Sequence, residues 1–164
     1  MIDHEIKIAF KEYSSLDELN NQDKQLCQEA EKAMTQSHSP YSRFKVGAAL
    51  RLQSGKIIYG SNQENVAYPS GLCAERVALF YWGANYSDDP VESIAITAHT
   101  HEFTITKPIT PCGSCLQVLA EYEKKQGGKI KIILYCLDGP VWITNGIESF
   151  LPFMFFEDRL ALTV

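Results

Sequence analysis

The chain of 164 residues contains no run of about 18 consecutive apolar residues, the length that a membrane-spanning helix requires. Its opening, MIDHEIKIAF, also lacks the basic segment followed by an apolar segment that marks a secretory signal. These two absences predict a soluble protein that stays in the cytoplasm and has no membrane partner.

An excess of positive charge is missing as well. Lysine and arginine contribute 15 charges against 20 from aspartate and glutamate, which gives a net charge of −5 and an isoelectric point near 5.4. Proteins that bind nucleic acid neutralise backbone phosphates with a basic face. We therefore expect no nucleic-acid partner.

Cysteine is too sparse and too unevenly spaced for the disulfide framework of a small secreted protein. The cysteines, an odd number, are Cys27, Cys73, Cys112, Cys115 and Cys136. In a reducing cytoplasm, clustered cysteines serve metal binding or redox chemistry more often than structural bridging. Those that the fold brings together are therefore candidates for a functional site.

No internal repeat, low-complexity tract or linker interrupts the chain. A content of 45% hydrophobic and 21% charged residues is typical of one globular domain, and a second full domain would not fit. We assign this single domain to residues 23–164 and interpret residues 1–22 as an N-terminal extension.

Hydrophobic periodicity predicts an alternation of helices and strands. An N-terminal helix is expected from about Asp23 to Ser37, followed by a hairpin around the turn at 53–55. The order continues with a helix after Cys73, a buried strand VESIAITAH, a helix GSCLQVLAEYEKK, a strand KIKIILYC and a short strand VWIT. It predicts an α/β sandwich with a mixed sheet, whose later strands are joined by right-handed parallel crossovers.

Two of the predicted helices begin with cysteine. Cys73 lies at the start of one, and Cys112 and Cys115, three residues apart, lie at the start of another. Side chains at this spacing are neighbours on a helix, so both thiols can reach one point. Helix N-termini lower the pKa of a thiol and favour the thiolate that binds metal. Three thiolates would hold one Zn²⁺ with an open fourth position, the arrangement of a catalytic zinc.

Two charged residues follow Cys73. An ideal helix would turn Glu75 about 200° away from Cys73, so the two can share a cavity only at an irregular first turn, which the Pro-Ser-Gly sequence at 69–71 permits. A carboxylate beside a catalytic zinc is the expected proton shuttle. Arg76 lies three residues after Cys73, where its guanidinium can donate to the ligand sulfurs and tune their charge.

Other interpretations of the cysteines remain open at this point. A Cys-x-x-Cys pair by itself is also typical of redox motifs. A structural zinc would take a fourth protein ligand, for which Cys27 and Cys136 are available, although we interpret both as small core residues. His38, His99 and His101 are isolated and are interpreted as surface or hydrogen-bonded side chains rather than ligands.

The order of these motifs resembles the cytidine deaminase family, in particular its small homotetrameric branch with three cysteine ligands. The resemblance covers most of the chain and rests on Ser39-Pro40-Tyr41-Ser42, Phe44-Lys45-Val46-Gly47-Ala48-Ala49, Asn62-Gln63-Glu64-Asn65, Cys73-Ala74-Glu75-Arg76 and Pro111-Cys112-Gly113-Ser114-Cys115. It implies a three-layer α/β/α sandwich with a mixed sheet of five strands. It also implies a Zn²⁺ cofactor on Cys73, Cys112 and Cys115, with Glu75 as the catalytic residue.

The resemblance further implies which residues bind substrate. Asn62 and Glu64 would hydrogen-bond the ribose hydroxyls, and such groups reject substrates that leave them unpaired. Phe44 would pack against the pyrimidine ring, and Ala74 would contact the substrate as well. Phe155, which ends the segment LPFMF, would reach the active site of a neighbouring subunit in a homotetramer. A tail packed on its own core is the alternative.

One position departs from the family pattern. Leu116 follows Cys115 where the family usually has arginine, which removes a positive charge near the metal and the subunit interface. Because the three cysteines, Glu75 and Arg76 are retained, we expect the chemistry to survive.

The resemblance thus implies zinc-dependent hydrolytic deamination of free cytidine and deoxycytidine to uridine or deoxyuridine and ammonia, in pyrimidine salvage. The nearest alternative is deamination of another aminated pyrimidine such as blasticidin S, against which the pair Asn62 and Glu64 argues. A nucleic-acid editing deaminase is disfavoured by the acidic balance. A structural-zinc or redox module is the alternative without enzyme activity.

Overall fold

The structure, a computed structural model, describes residues 1–157 and Leu160. Its strands are β1 (Lys11–Tyr13), β2 (Lys45–Leu52), β3 (Ile57–Ser61), β4 (Val91–His99), β5 (Lys131–Tyr135) and β6 (Val141–Asn145). Its α-helices are α1 (Asn21–Met34), α2 (Ala74–Asn85) and α3 (Gly113–Gln126), and short 3-10 turns span Leu16–Glu18, Tyr68–Ser70 and Ile147–Ser149. The strands form one mixed sheet in the order β1-β6-β5-β4-β2-β3.

Helices cover both faces of the sheet. α1 packs on one face, where a Cβ added to Gly47 in β2 would lie 2.1 Å from the Ala30 carbonyl oxygen. α2 and α3 pack on the other face, where a Cβ on Gly60 in β3 would lie 2.2 Å from the Ala74 carbonyl oxygen. Only glycine permits so close an approach of helix to strand. The predicted three-layer sandwich is confirmed.

An apolar core fills each of the two interfaces. The core beneath α2 and α3 includes the fully buried side chains of Leu79, Trp82 and Leu119. The core beneath α1 includes Leu26 and Ile133. Each buried side chain of this size contributes about 1.5–3 kcal/mol relative to exposure, so packing holds the helices firmly against the sheet.

The topology brings the starts of α2 and α3 to the same end of the sheet, where β3 and β4 have their carboxyl ends. β2 is antiparallel to both β3 and β4, so β3 and β4 run in the same direction. α2 follows β3 and α3 follows β4, and each helix therefore begins near the carboxyl end of its strand. β5 pairs in parallel with β4 after α3, which confirms the parallel connection predicted there.

The sheet has six strands, one more than the five predicted. The additional strand, β1, pairs antiparallel with β6 at the edge of the sheet and comes from the segment 1–22. Its sequence Lys-Glu-Tyr is short and mostly charged, so no apolar alternation marks it as a strand. α1 begins at Asn21, capped by the side chain of Asn20. The division of the chain at residue 23 stays a prediction.

The helices are short. The longest, α1 and α3, contain 14 residues each. Within residues 1–157 and Leu160, none combines the length and apolarity needed to cross a bilayer.

Candidate metal and substrate site

The three cysteines predicted as metal ligands meet where α2 and α3 begin. Cys73 is the N-cap of α2, Cys112 is the N-cap of α3, and Cys115 lies in the first turn of α3. Neither N-cap side chain makes a capping hydrogen bond to its own helix backbone, so neither sulfur is occupied as a cap. The Sγ atoms of Cys73 and Cys112 are 3.8 Å apart, and those of Cys112 and Cys115 are 3.5 Å apart. All three ligand atoms lie within 4.8 Å of one another.

These distances fit a zinc ion. Zinc–sulfur bonds of about 2.3 Å in a tetrahedron place the sulfurs about 3.8 Å apart. In the part of the chain that the structure describes, no fourth ligand joins the group. Cys27 is buried between α1 and the opposite face of the sheet, and the Cys136 thiol donates to the Ile105 carbonyl oxygen at 3.2 Å. The donor set therefore matches a catalytic zinc, which keeps one position open, better than a structural one.

Hydrogen bonds within the cluster set how readily each thiol ionises. A hydrogen bond from the Cys115 thiol, with further donation from Arg76, lowers the pKa of Cys73 to about 5. The pKa of Cys115 is raised, because its thiol makes that hydrogen bond and is buried. The Cys73 thiol therefore ionises easily. Ionising the other two thiols beside the Cys73 thiolate would bring like charges together, which requires a positive charge to offset them. A divalent metal ion supplies that charge.

Glu75 lies in the first turn of α2 and lines the same cavity as Cys73 and Cys112. Cys73 has extended N-cap geometry, with φ −70° and ψ 155°, so the angle between successive helical residues does not separate the two side chains. Glu75 is 4% exposed, and this burial raises the pKa of its carboxyl above the ordinary 4.5. A carboxyl in this state can accept a proton and return it.

The Arg76 guanidinium approaches the same cluster. Its Nη2 lies 3.8 Å from the Sγ atom of Cys73, as the spacing in the sequence predicts. Its Nε is buried and has no hydrogen-bond partner. At this distance the hydrogen bond is weak, so the main effect of Arg76 is the positive charge that it places beside a thiolate.

A cavity of about 720 Å³ opens beside the sulfurs. The predicted nucleoside-binding residues Phe44, Asn62 and Glu64 line it together with Cys73 and Glu75. Small-molecule sites have volumes of roughly 300–1,000 Å³. The fold thus brings the sulfur cluster, the buried carboxyl and the three predicted substrate residues to one cavity.

The side chain of Asn62 is held by the strand that follows Phe44. Its Oδ1 accepts hydrogen bonds from the Val46 N–H at 2.8 Å and from the Ser37 hydroxyl, and its Nδ2 donates to the Phe44 carbonyl oxygen at 2.8 Å. A side-chain amide has two N–H donors, so one of them remains for a ligand. Asn62 therefore both orients the backbone of Phe44 and offers a donor to the cavity.

The carboxylate of Glu64 accepts hydrogen bonds from a neighbouring turn. Its Oε2 accepts from the N–H groups of Tyr41 at 2.9 Å and Ser42 at 3.2 Å, and its Oε1 accepts from the Ser42 hydroxyl. Burial opposes ionisation, but these hydrogen bonds hold the pKa of Glu64 below its ordinary value. Sequence reasoning missed this role of Tyr41 and Ser42, for which the turn residues after Pro40 are the available signal.

Apart from the buried ligand Cys115, three further residues that the family comparison in the sequence singled out do not line the cavity. Ala74 is fully buried with its carbonyl oxygen over Gly60, although the N–H groups of a first helical turn have no partner within the helix. Phe155 is 69% exposed, and its carbonyl oxygen accepts from Gln117 Nε2 at 2.9 Å. Leu116 is buried in the core beneath α3, an environment that an apolar side chain suits.

Known proteins are similar to this chain in sequence and fold. The family model for the cytidine and deoxycytidylate deaminase zinc-binding region matches residues 20–127. A cytidine deaminase from Sporosarcina psychrophila is 36% identical over 136 residues, 83% of this chain and 93% of that protein. One from Halalkalibacterium halodurans is 45% identical over 96 residues, 58% of this chain and 68% of that protein.

A solved structure agrees with the sequence relatives. The crystal structure of cytidine deaminase from Burkholderia pseudomallei matches with a TM-score of 0.68 and 37% identity, covering 80% of this chain and 97% of that one. The segment matched by the family model contains Cys73, Cys112 and Cys115, and its description as zinc-binding agrees with their geometry. The chain belongs to the zinc-binding cytidine and deoxycytidylate deaminase family.

Proposed function

We propose that the protein catalyses the zinc-dependent hydrolysis of cytidine to uridine and ammonia. The observation that carries this proposal is the cavity, where the buried carboxyl of Glu75 lies beside a sulfur cluster that fits a zinc ion. The relatives named cytidine deaminases support the choice of substrate. The enzyme is therefore a hydrolase that acts on the C–N bond of a cyclic amidine.

The reaction needs an activated water and a group that moves protons. Cys73, Cys112 and Cys115 would hold the zinc ion, which supplies the Lewis acidity that activates water at neutral pH. Glu75 accepts a proton from that water and delivers it to N3 of the cytosine ring, which makes C4 more electrophilic. After the water oxygen has added to C4, Glu75 passes the second proton to the amino group. Ammonia then leaves, and the ring is uracil.

The nucleoside would be held at both its sugar and its base. Asn62 has one free N–H and Glu64 is an anion with remaining acceptor capacity, so the two can bind ribose hydroxyls. The Phe44 ring supplies an apolar wall for the pyrimidine, and the N–H of Ala74 supplies a donor at the helix start. Because these groups pair with sugar hydroxyls, the substrate is a nucleoside rather than a free base. We include deoxycytidine, which keeps the 3′- and 5′-hydroxyls, and propose pyrimidine salvage as the role.

Arg76 is proposed to tune the sulfur cluster. Three thiolates and one Zn²⁺ together carry one net negative charge, which weakens the ability of the metal to acidify water. The guanidinium placed 3.8 Å from Cys73 Sγ draws electron density from that sulfur. Arg76 would thereby restore part of the Lewis acidity of the site.

We further propose that the enzyme is a homotetramer in which Phe155 reaches the site of a neighbouring subunit. The exposed aromatic side chains of the C-terminal segment at 150–156 support this, because exposed apolar patches mark interaction sites. Phe153 is 85% exposed and Phe155 is 69% exposed in the isolated chain. A cytoplasmic location is proposed with it, because all five cysteines are unpaired.

Incubating the purified protein with cytidine and with deoxycytidine, while following ultraviolet absorbance, tests the proposed function. We expect conversion of both substrates, loss of activity on chelation and recovery when zinc is added. Zinc binding without any deamination would instead assign a structural-zinc or redox module. Deamination of blasticidin S but not of cytidine would assign a different aminated pyrimidine as the substrate.

A further inference from the structure

Two stacked phenylalanines lie at the edge of the substrate cavity. The ring centroids of Phe44 and Phe103 are 6.2 Å apart, and the ring planes are inclined by 24°. Phe44 lines the cavity whereas Phe103 does not, so Phe103 stacks on the ring from outside. Phe103 is 60% exposed and belongs to neither apolar core, so core packing does not account for it.

A second contact joins the sequence neighbours of these two residues. Arg43 Nη1 donates to Glu102 Oε1 at 3.0 Å. Arg43 is the one non-glycine residue of the described chain with positive φ, at 55°. Such a conformation persists only where surrounding contacts hold it. Residues 43–44 therefore meet residues 102–103 through one ion pair and one ring stack.

The stacking contact comes from residues 100–112, the segment between β4 and α3. In the middle of this segment, the carbonyl oxygen of Ile105 accepts a hydrogen bond from the buried Cys136 thiol at 3.2 Å. Further along, Ile109 and Thr110 line the cavity. The segment is thus anchored to the body of the protein at Ile105 and borders the cavity where it approaches α3.

We propose that Phe103 is a positioning residue for the Phe44 ring, and through it for the pyrimidine of the substrate. The proposal rests on the proposed function, in which Phe44 packs against the base. Without Phe103, the half-buried Phe44 side chain gains room to leave the orientation that forms the cavity wall. Substrate affinity then falls in proportion to the fraction of molecules in which the Phe44 ring still forms the cavity wall. The sulfur cluster and Glu75, which perform the chemistry, are unaffected.

Steady-state kinetics of Phe103→Ala tests this proposal. We expect the KM for cytidine and the Kd for uridine to rise by about two- to tenfold, the range that an aromatic pair contributes, with kcat unchanged. Phe103→Tyr keeps the ring and should restore both constants. Phe10→Ala is the matched control. Phe10 is 51% exposed and its ring centroid lies 5.1 Å from that of Trp142 in β6, which is on the opposite side of the sheet from β2 and the Phe44 ring.

A double-mutant cycle distinguishes positioning from general stabilisation. In the Phe44→Ala background, Phe103→Ala has no ring to position, so its effect on KM should disappear. An equal effect in both backgrounds would overturn the proposal, and so would unchanged KM and Kd in Phe103→Ala alone. If the wild-type protein does not deaminate cytidine, the proposed function itself fails, a result that is recognisable before any variant is made.

Discussion

The carboxyl of Glu75 combines two properties that seldom occur together. It is 4% exposed, yet it lines a cavity large enough to admit a nucleoside. Burial raises its pKa, so its protonated and ionised forms are closer in free energy at neutral pH than those of a surface glutamate. A group that must take up a proton and release it within one turnover benefits from this balance.

Replacing Glu75 with glutamine retains the size of the side chain and removes the proton acceptor. We expect kcat for cytidine to fall by about 10²–10⁴-fold, the usual contribution of a general acid–base, while the zinc content by metal analysis is unchanged. Glu92→Gln, at an exposed position of β4, is the control and should retain full activity. Wild-type turnover by Glu75→Gln would remove Glu75 from the mechanism.

The raised pKa of Glu75 also predicts a pH dependence. Below this pKa the carboxyl is protonated and cannot accept a proton from water, so kcat/KM falls as the pH falls through it. Because the pKa is raised above 4.5, the acid limb of the kcat/KM profile should lie above pH 4.5. Zinc content measured at each pH controls for metal loss. A limb at or below pH 4.5 with zinc still bound would contradict the assignment.

At the scale of elements, the site depends on how closely α2 approaches β3. The first turn of α2 lies directly over Gly60, which places Cys73 and Glu75 at the cavity. Both partners in this contact are backbone atoms in a close-packed interior, so neither can move aside as a surface side chain can. A small change in this contact is therefore transmitted to the ligand and to the carboxyl together.

Gly60→Ala tests this dependence. Its Cβ would lie 2.2 Å from the Ala74 carbonyl oxygen, so α2 must move outward. We expect the free energy of unfolding to fall by about 1–3 kcal/mol and zinc to bind more weakly, measured by chemical denaturation and by competition with a chelator. Gly128→Ala is the control, because its Cβ would meet only Gln126 Nε2 at 3.9 Å. Equal stability of the two variants would show that α2 tolerates the shift.

At the scale of the whole molecule, two phenylalanines of the C-terminal segment at 150–156 remain exposed in a single chain, although Leu151 and Met154 of that segment pack against the core. Phe153 and Phe155 expose 85% and 69% of their surface. The Phe155 carbonyl oxygen is nevertheless bonded to Gln117 of α3, which holds this part of the tail against the catalytic body of its own subunit. A second subunit is the proposed cover for these side chains.

Phe155→Ala should then raise the KM for cytidine by about tenfold, the effect of truncating an important interface side chain. Light scattering after gel filtration should still show the tetramer. Phe153→Ala, in the same tail, should leave KM unchanged. A monomeric wild-type protein with full activity would refute the role of Phe155 in a neighbouring site.

The sequence by itself determined which residue types stand together at the candidate site and predicted their chemistry. Cys73 and the pair Cys112 and Cys115 each stand at a helix start, and Glu75 and Arg76 follow within one turn. These are local relationships, set by the geometry of a helix and the acidity of a thiol at its N-terminus. The helices and the central strands were predictable for the same reason, because their apolar periodicity is local.

Only the tertiary structure decided which distant groups meet. Cys73 and Cys112 are 39 residues apart in the sequence. They meet because β3 and β4 run in the same direction, so the helices that follow them begin at the same end of the sheet. The polar strand β1 is stabilised by pairing with β6, which no local pattern reports. The stack of Phe103 on Phe44 likewise depends on a loop held from elsewhere. Packing energy shared among many side chains sets such contacts, and a sequence pattern records only preferences between neighbours.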